Sequence, residues 1–143
     1  MWGMKILLGV LFRLNKFMTI EALINHAREA QTFSKSPYSN YAVGAALLTS
    51  SGAVIYGCNV ESKAYPTTLC AERVAIFSAI AQGHDNFTEL AIITKDGAAP
   101  CGACRQIISE YCGDIPVHFA NESGEFQTMM MDDLLPLAFR EGQ

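Results

Sequence analysis

The stretch PCGACRQ, residues 100–106, lies where an apolar strand passes into a helix. The preceding run ELAIITK, residues 89–95, has a continuous apolar centre, which is typical of a strand covered on both faces of its sheet. The following run CGACRQIISEYC, residues 101–112, predicts a helix that begins at the quoted motif. A strand that feeds directly into a helix favours an α/β domain.

Cys101 and Cys104 fall in the first turn of this predicted helix. Unpaired backbone N–H groups and the positive end of the helix dipole favour thiolates at that position. Two cysteines at this spacing can form a redox couple, bind zinc or hold part of an iron–sulfur cluster. The pair alone therefore leaves its chemistry open.

A second helix is predicted upstream, over CAERVAIFSAIAQG, residues 70–83, and it ends at a glycine. Its predicted N-cap is Thr67 or Thr68. Two parallel helices that start at the same sheet edge bring their N-termini together, so we expect Cys70 to approach the other two cysteines. Three thiolates can hold a tetrahedral zinc ion and leave the fourth position open to water, which is the arrangement of a catalytic site.

The other segments complete the sheet and its helical layers. A helix after Thr19 is predicted by apolar residues at helical spacing: Ile20, Leu23, Ile24, Ala27 and Ala30. YAVGAALLTSSGAVIYGCNV predicts a hairpin of two central strands, IPVHFAN and EFQTMMM predict two more strands, and MDDLLPLAF predicts a short helix broken near Pro136. The order αββαβαββα predicts one α/β domain with a mixed sheet of about five strands and helices on both faces.

The charge balance disfavours a polynucleotide partner. Ten Lys or Arg stand against fourteen Asp or Glu in 143 residues, for a net charge of −4, with no basic run. A phosphate backbone is gripped by clustered cations, so a small-molecule ligand is favoured over a nucleic acid. Five cysteines, an odd number without a dense disulfide framework, favour a reducing compartment, and we expect a cytoplasmic protein.

The first seventeen residues, MWGMKILLGVLFRLNKF, differ from the predicted domain. Their apolar run from Ile6 to Phe12 is too short to span a bilayer as a helix, and no small-residue cleavage site follows it. We expect residues 1–17 to be an extension before Met18 that reflects an upstream start or is dispensable. An extra amphipathic helix and a targeting segment are the alternatives. The predicted catalytic domain is residues 18–143, with no membrane association.

Together these motifs resemble the zinc-dependent cytidine deaminases. The resemblance rests on CAE at residues 70–72 and on PCGACRQ, and it extends from Met18 to Phe139 through SPYSNYAVGAALLTSSG, GCNVE, CAERVAIF and DLLPLAF. Cys rather than His in the first ligand position is similar to the homotetrameric branch that acts on free nucleosides. The resemblance implies a three-layer α/β/α cytidine deaminase-like fold and one Zn²⁺ per subunit, bound by the three cysteines.

The same resemblance implies how the site works. Zinc would turn a bound water into hydroxide for attack on C4 of the pyrimidine. Glu72, which is not a ligand, would take the proton of that water, pass one to ring N3 and protonate the departing ammonia. Arg73 would donate hydrogen bonds to a thiolate sulfur, with a surface or interface salt bridge as its alternative role.

Five further residues match substrate-binding positions of the family. Asn59 and Glu61 match the pair that binds the ribose hydroxyls, with a turn former and a solvated charge as alternative roles. Ala71 matches a residue that offers backbone groups to the base. Tyr41 stands where the family usually has Phe, so its ring can pack on the ligand while its hydroxyl needs a partner. Phe139 matches an aromatic residue that reaches a neighbouring subunit's site, with a core position as the alternative.

These features predict a hydrolase that converts cytidine and 2′-deoxycytidine into uridine and 2′-deoxyuridine with release of ammonia, in pyrimidine salvage. A deaminase of a cytosine-containing antibiotic such as blasticidin S is the alternative on the same scaffold, and Glu61 favours the plain nucleoside. A thiol oxidoreductase would leave Cys70 and Glu72 without a role. A non-catalytic zinc module would leave Glu72 and the open coordination position unexplained.

Overall fold

A computed structural model describes residues 18–140, and the predicted extension over residues 1–17 lies outside this range. The elements in chain order are α1 (Ile20–Gln31), β1 (Gly44–Thr49), β2 (Val54–Cys58), a 3-10 turn (Tyr65–Thr67), α2 (Ala71–Ala81), β3 (Phe87–Ile93), α3 (Gly102–Cys112), β4 (Pro116–Ala120), β5 (Phe126–Met130) and α4 (Met131–Leu134). The predicted order of helices and strands is confirmed.

The five strands form one mixed sheet in the order β2-β1-β3-β4-β5. β1 is antiparallel to both β2 and β3, β3 is parallel to β4, and β4 is antiparallel to β5. The prediction that both hairpin strands are central was wrong for β2, which forms an edge. α1 and α2 both contact β2, and an edge strand covered in this way is as apolar in sequence as a central one.

Side chains of successive strand residues point to opposite faces of the sheet and separate two cores. One core lies under α2, α3 and α4, and its buried residues include Leu47, Ile76, Leu90, Ile92, Ile108 and Val117. The other core lies under α1, and its buried residues include Leu23, Ile24, Ala27, Ala46, Ala91 and Ile93. The predicted three-layer α/β/α arrangement is therefore confirmed. Among residues 18–140, no helix has the length and apolar character needed to cross a bilayer.

Two glycines let helices lie directly on the sheet. A Cβ at Gly44 would come within 2.0 Å of the Ala27 carbonyl oxygen on α1. A Cβ at Gly57 would come within 2.1 Å of the Ala71 carbonyl oxygen at the start of α2. Because real Cβ atoms never approach backbone oxygens so closely, glycine at position 57 fixes how near the first turn of α2 lies to β2.

The topology places two helix N-termini at one sheet edge. β2 and β3 run in the same direction, because both are antiparallel to β1. α2 follows β2 and α3 follows β3, so both helices begin beyond the carboxyl ends of these strands. Ligand sites of open α/β sheets commonly lie at such edges.

Candidate active site

Cys70 and Cys101 are the N-cap residues of α2 and α3, and neither side chain makes a capping hydrogen bond. The two Sγ atoms are 4.0 Å apart. Cys104 is buried in the first turn of α3, and the three Sγ atoms all lie within 4.8 Å of one another. Within residues 18–140, this is the one group of three or more potential metal-ligating Cys, His, Asp or Glu side chains.

The prediction of Thr67 or Thr68 as the N-cap of α2 was wrong. Thr67 ends the 3-10 turn, and the Thr68 backbone N–H donates to the Tyr65 carbonyl within it. Val60 and Leu69 then exchange two backbone hydrogen bonds, so the chain is still extended at residue 69. The N-cap therefore lies two or three residues later than predicted, at Cys70.

The three thiols fit a zinc ion. Tetrahedral Zn–S bonds of about 2.3 Å place the sulfur atoms about 3.8 Å apart, close to the 4.0 Å between Cys70 and Cys101. Soft thiolate ligands suit zinc, and three of them leave one coordination position for water or substrate. The donor set, the spacing and the number of ligands are therefore those of a catalytic zinc site.

Glu72 lies beside this cluster, in the first turn of α2. Its side chain is almost fully buried, and Oε2 is 3.8 Å from Cys104 Sγ. Burial raises the pKa of Glu72 to about 7, and the negative charge of Cys70 adds to the increase. A carboxyl group with a pKa near neutrality can both accept and donate a proton under physiological conditions.

Arg73 contacts the cluster from its outer side. Its Nη2 donates a hydrogen bond to Cys70 Sγ over 3.3 Å, and its buried Nε has no hydrogen-bond partner in the described part of the chain. Hydrogen bonds with Cys104 and Arg73 lower the pKa of Cys70 to about 5, whereas the interaction with Cys70 and burial raise the pKa of Cys104. The neighbouring thiol of Cys104 and the Arg73 guanidinium therefore favour the thiolate form of Cys70.

A cavity of about 400 Å³ opens above the cluster. Six of the residues singled out in the sequence line it: Tyr41, Asn59, Glu61, Cys70, Glu72 and Cys101. The cavity is large enough for a small molecule. It brings together the predicted proton carrier and most of the predicted substrate-binding side chains.

Asn59 is buried and holds the cavity wall together. Its Oδ1 accepts the Val43 backbone N–H over 2.9 Å and a hydrogen bond from the Ser34 hydroxyl, and its Nδ2 donates to the Tyr41 carbonyl over 2.8 Å. An amide group has two donors and one oxygen with two lone pairs. One N–H of Asn59 therefore stays available to a ligand.

Glu61 supports the turn before β1. Its Oε1 accepts the backbone N–H groups of Tyr38 and Ser39, each over 3.0 Å, and its Oε2 accepts the Ser39 hydroxyl. These hydrogen bonds from Ser39 and Tyr38 lower the pKa of Glu61. Glu61 is thus a carboxylate at neutral pH, with acceptor capacity left on Oε2.

Tyr41 places its ring in the cavity wall, and its hydroxyl donates a hydrogen bond to Asp96. The partner that the sequence left undefined for this hydroxyl is therefore Asp96. Burial and the hydrogen bond to Asp96 raise the pKa of Tyr41, so the phenol stays protonated.

Ala71 and Phe139 do not line the cavity. Ala71 is fully buried as the first residue of α2, where its backbone N–H has no partner within the helix. Phe139 lies at the surface with 81% of its area exposed, so the alternative of a core position is wrong. The Phe139 backbone is fixed by two hydrogen bonds with the Gln106 side chain, over 2.9 and 3.1 Å.

Arg105 has a structural role, because it donates to the Pro100 carbonyl over 2.7 Å, just before Cys101. Two other residues at the site were missed in the sequence. Ser39 orients Glu61, and Asp96 binds the Tyr41 hydroxyl. Each acts through a contact between distant or irregular segments. The only local signal is the pair of Asp96 with a following glycine, which predicts a turn and no ligand site.

The fold and the site together define a three-layer α/β/α protein with a three-cysteine candidate metal site beside a buried glutamate. The family model of the cytidine and deoxycytidylate deaminase zinc-binding region matches residues 18–118. The chain therefore belongs to the cytidine and deoxycytidylate deaminase family, as the resemblance predicted.

Individual relatives agree with this assignment. A cytidine deaminase from Sporosarcina psychrophila is 43% identical over 125 residues, which cover 85% of this chain and 92% of the relative. The crystal structure of a cytidine deaminase from Burkholderia pseudomallei superposes with a TM-score of 0.83 at 43% identity, over 85% of this chain and all of that chain. A blasticidin-S deaminase from Bacillus cereus is 30% identical over 107 residues, which cover 68% of this chain and 76% of the relative. The predicted fold, family and enzyme class are confirmed.

Proposed function

We propose that this chain catalyses the hydrolysis of cytidine and 2′-deoxycytidine to uridine and 2′-deoxyuridine, with release of ammonia. The observation that carries this proposal is the position of Glu72, a buried carboxyl group 3.8 Å from one of three clustered thiols at the floor of the cavity. The higher identity to the cytidine deaminase than to the blasticidin-S deaminase supports the plain nucleoside as substrate.

Cys70, Cys101 and Cys104 would hold one Zn²⁺ per subunit. When bound there, zinc lowers the pKa of a coordinated water towards about 7 and so supplies a nucleophile at neutral pH. Three thiolates carry more negative charge than the ion neutralises. The Arg73 guanidinium, which donates to Cys70 Sγ, and the positive ends of α2 and α3 would offset the excess.

Glu72 would carry the protons of the reaction. Its carboxylate would take a proton from the attacking water and deliver it to ring N3. It would then take the proton of the new C4 hydroxyl group and pass it to the amino group, which leaves as ammonia while C4 becomes a carbonyl. A pKa of about 7 suits both directions of transfer. Because the side chain is buried, bulk water has little access to the proton while it is held there.

The wall residues would bind the sugar and the base. The free N–H of Asn59 and the remaining acceptor capacity of Glu61 suit a hydroxyl group, which is both a donor and an acceptor. The Ala71 backbone would be offered to the pyrimidine, and the Tyr41 ring would pack against it. A site built to bind sugar hydroxyl groups disfavours the free base cytosine, which has none.

The active form would be a homotetramer in the cytoplasm that serves pyrimidine salvage, without nucleic-acid or membrane partners. Two exposed apolar side chains near the C-terminus support assembly: Leu137 is 92% exposed and Phe139 is 81% exposed. We expect Phe139 to enter a neighbouring subunit's cavity. A stable, active monomer in gel filtration would refute this assembly.

Ammonia release from a panel of compounds tests the proposed reaction. Purified protein is offered cytidine, 2′-deoxycytidine, cytosine, blasticidin S and adenosine. We expect turnover of the two cytidines, loss of turnover after treatment with a zinc chelator, and recovery after zinc is added back. Turnover of blasticidin S alone would favour the antibiotic deaminase, and no turnover of either cytidine would refute the proposal.

A further inference from the structure

Tyr41 lines the substrate cavity, and its hydroxyl group is bonded to a residue outside that lining. The hydroxyl donates its hydrogen bond to Asp96 Oδ1. Asp96 is not part of the lining of that cavity; it lines a separate cavity of about 320 Å³, together with Asn121 and Glu125. The hydrogen bond of the Tyr41 hydroxyl is therefore committed to an acceptor that is not part of the substrate cavity's lining.

Asp96 is itself held in place. Thr94 Oγ1 donates to Asp96 Oδ1 over 3.3 Å and accepts the backbone N–H groups of Gly97 and Ala98 over 2.8 and 3.0 Å. Asp96 also forms an isolated β-bridge with Asn121. The hydrogen bond from Tyr41 lowers the pKa of Asp96, which is therefore a carboxylate at neutral pH. Asp96 is thus an exposed carboxylate that accepts hydrogen bonds from the Thr94 and Tyr41 hydroxyls.

The bond joins two segments that both wall the substrate cavity. Residues 39–43 lead into β1, and residues 94–99 follow β3. The pairing of β1 with β3 ends at Gly44 and Ile93. Beyond that pair, the bond from Tyr41 to Asp96 links the two segments.

We propose that Asp96 is a positioning residue for substrate binding, which withdraws the Tyr41 hydroxyl so that the tyrosine presents a phenylalanine-like wall to the nucleoside. This inference rests on the proposed function. A phenol released from Asp96 would be a donor and an acceptor at a cavity where the remaining acceptor capacity of Glu61 lies on Oε2. The phenol would then compete with the sugar hydroxyls for Glu61.

Removal of Asp96 is the first test. Asp96→Ala is expected to raise KM for cytidine about tenfold, the size of one lost hydrogen bond, and to leave kcat and the zinc content close to wild type. kcat is spared because Asp96 makes no hydrogen bond with the three thiols or with Glu72. Asp96→Asn keeps an oxygen acceptor for the phenol and is expected to restore most of the affinity.

A double variant distinguishes the effect of a released Tyr41 hydroxyl on KM from the effect of a change in the loop that carries Asp96. Tyr41→Phe combined with Asp96→Ala removes the competing phenol, so it is expected to reverse most of the increase in KM. Asp133→Ala, which removes an exposed carboxylate on α4, is the matched control and leaves KM unchanged. A wild-type KM in Asp96→Ala would overturn the proposal. It would equally fail if the double variant were as impaired as the single one, or if kcat fell while KM stayed constant.

Amide hydrogen exchange tests the hydrogen bond between Tyr41 and Asp96 independently of enzymatic activity. Backbone amides of residues 39–43 and 94–99 are expected to exchange faster in Asp96→Ala and in the double variant than in wild type, because both lack the bond. Unchanged exchange in Asp96→Ala would overturn the proposal. If wild-type protein released no ammonia from either cytidine, the proposed function would fail, whereas the exchange data would still report on the bond.

Discussion

The floor and the wall of the cavity use polar side chains in opposite ways. On the floor, Cys70 and Cys101 occupy N-cap positions without making the capping hydrogen bond, so their thiols stay available. At the start of α1, by contrast, the Thr19 hydroxyl is used for capping and accepts the Ala22 N–H over 3.1 Å. On the wall, the Asn59 side chain uses three of its four hydrogen-bonding positions for contacts with other segments of the chain.

This difference means that the floor residues serve mainly the reaction, whereas the wall residues also stabilise the fold. The exposed floor residue Cys101 can be replaced with little effect on folding, because its side chain makes no capping hydrogen bond. Replacement of a wall residue changes the backbone that surrounds the substrate as well as the contacts made to it. We therefore expect floor variants to lose metal or turnover while folded, and wall variants to lose stability and affinity together.

The largest effect is expected for Cys101→Ala on the floor. The side chain is exposed and makes no capping bond, so the protein should stay folded while it loses bound zinc and all detectable turnover. Metal analysis per chain and ammonia release measure the two losses. Cys112→Ala, at the other end of the same helix, is the matched control and should keep its zinc. Stoichiometric zinc in Cys101→Ala would remove this cysteine from the ligand set.

The next largest effect is expected for Asn59→Ala on the wall. Removal of the amide leaves the Val43 N–H and the Tyr41 carbonyl without their partner, at a cost of about 2 kcal/mol in the free energy of unfolding. KM for cytidine should rise in the same variant. Urea unfolding and steady-state kinetics measure the two changes, with the exposed Asn86→Ala as the control. A higher KM at wild-type stability would contradict the double role of Asn59.

A smaller effect is expected for Glu61→Gln. The amide keeps an acceptor oxygen, but it loses the charge and replaces the second oxygen with a donor. KM for cytidine should rise about fivefold, as expected for one weakened hydrogen bond, while kcat changes little. Glu21→Gln, an exposed change in the first turn of α1, is the control. An unchanged KM would mean that Glu61 only supports the turn at residues 38 and 39.

The floor could be predicted from the sequence because its geometry follows from local pattern. Apolar strands followed by helices indicate that α2 and α3 begin at the same sheet edge, and the cysteines lie near those starts. The N-cap of α2 was predicted too early, at Thr67 or Thr68. The β-bridge between Val60 and Leu69 keeps the chain extended up to residue 69. This tertiary contact cannot be inferred from the two threonines in the sequence.

The wall could be predicted only in part. Family resemblance pointed to Asn59 and Tyr41, but their partners lie in other segments. Asn59 binds the Tyr41 carbonyl 18 positions away, and the Tyr41 hydroxyl binds Asp96 55 positions away. Hydrophobic periodicity carries no information on such polar contacts, since they depend on how the loops meet in the folded chain.

The most direct test of the account is the behaviour of Glu72→Ala, with zinc content and ammonia release measured on the same sample. Glu72 is proposed to carry protons without binding the metal, so the variant should keep zinc at the wild-type level and lose turnover by about a thousandfold. Glu110→Ala, an exposed glutamate on α3, is the matched control and should behave as wild type. A Glu72→Ala protein that binds zinc and deaminates cytidine at a near-wild-type rate would contradict the account.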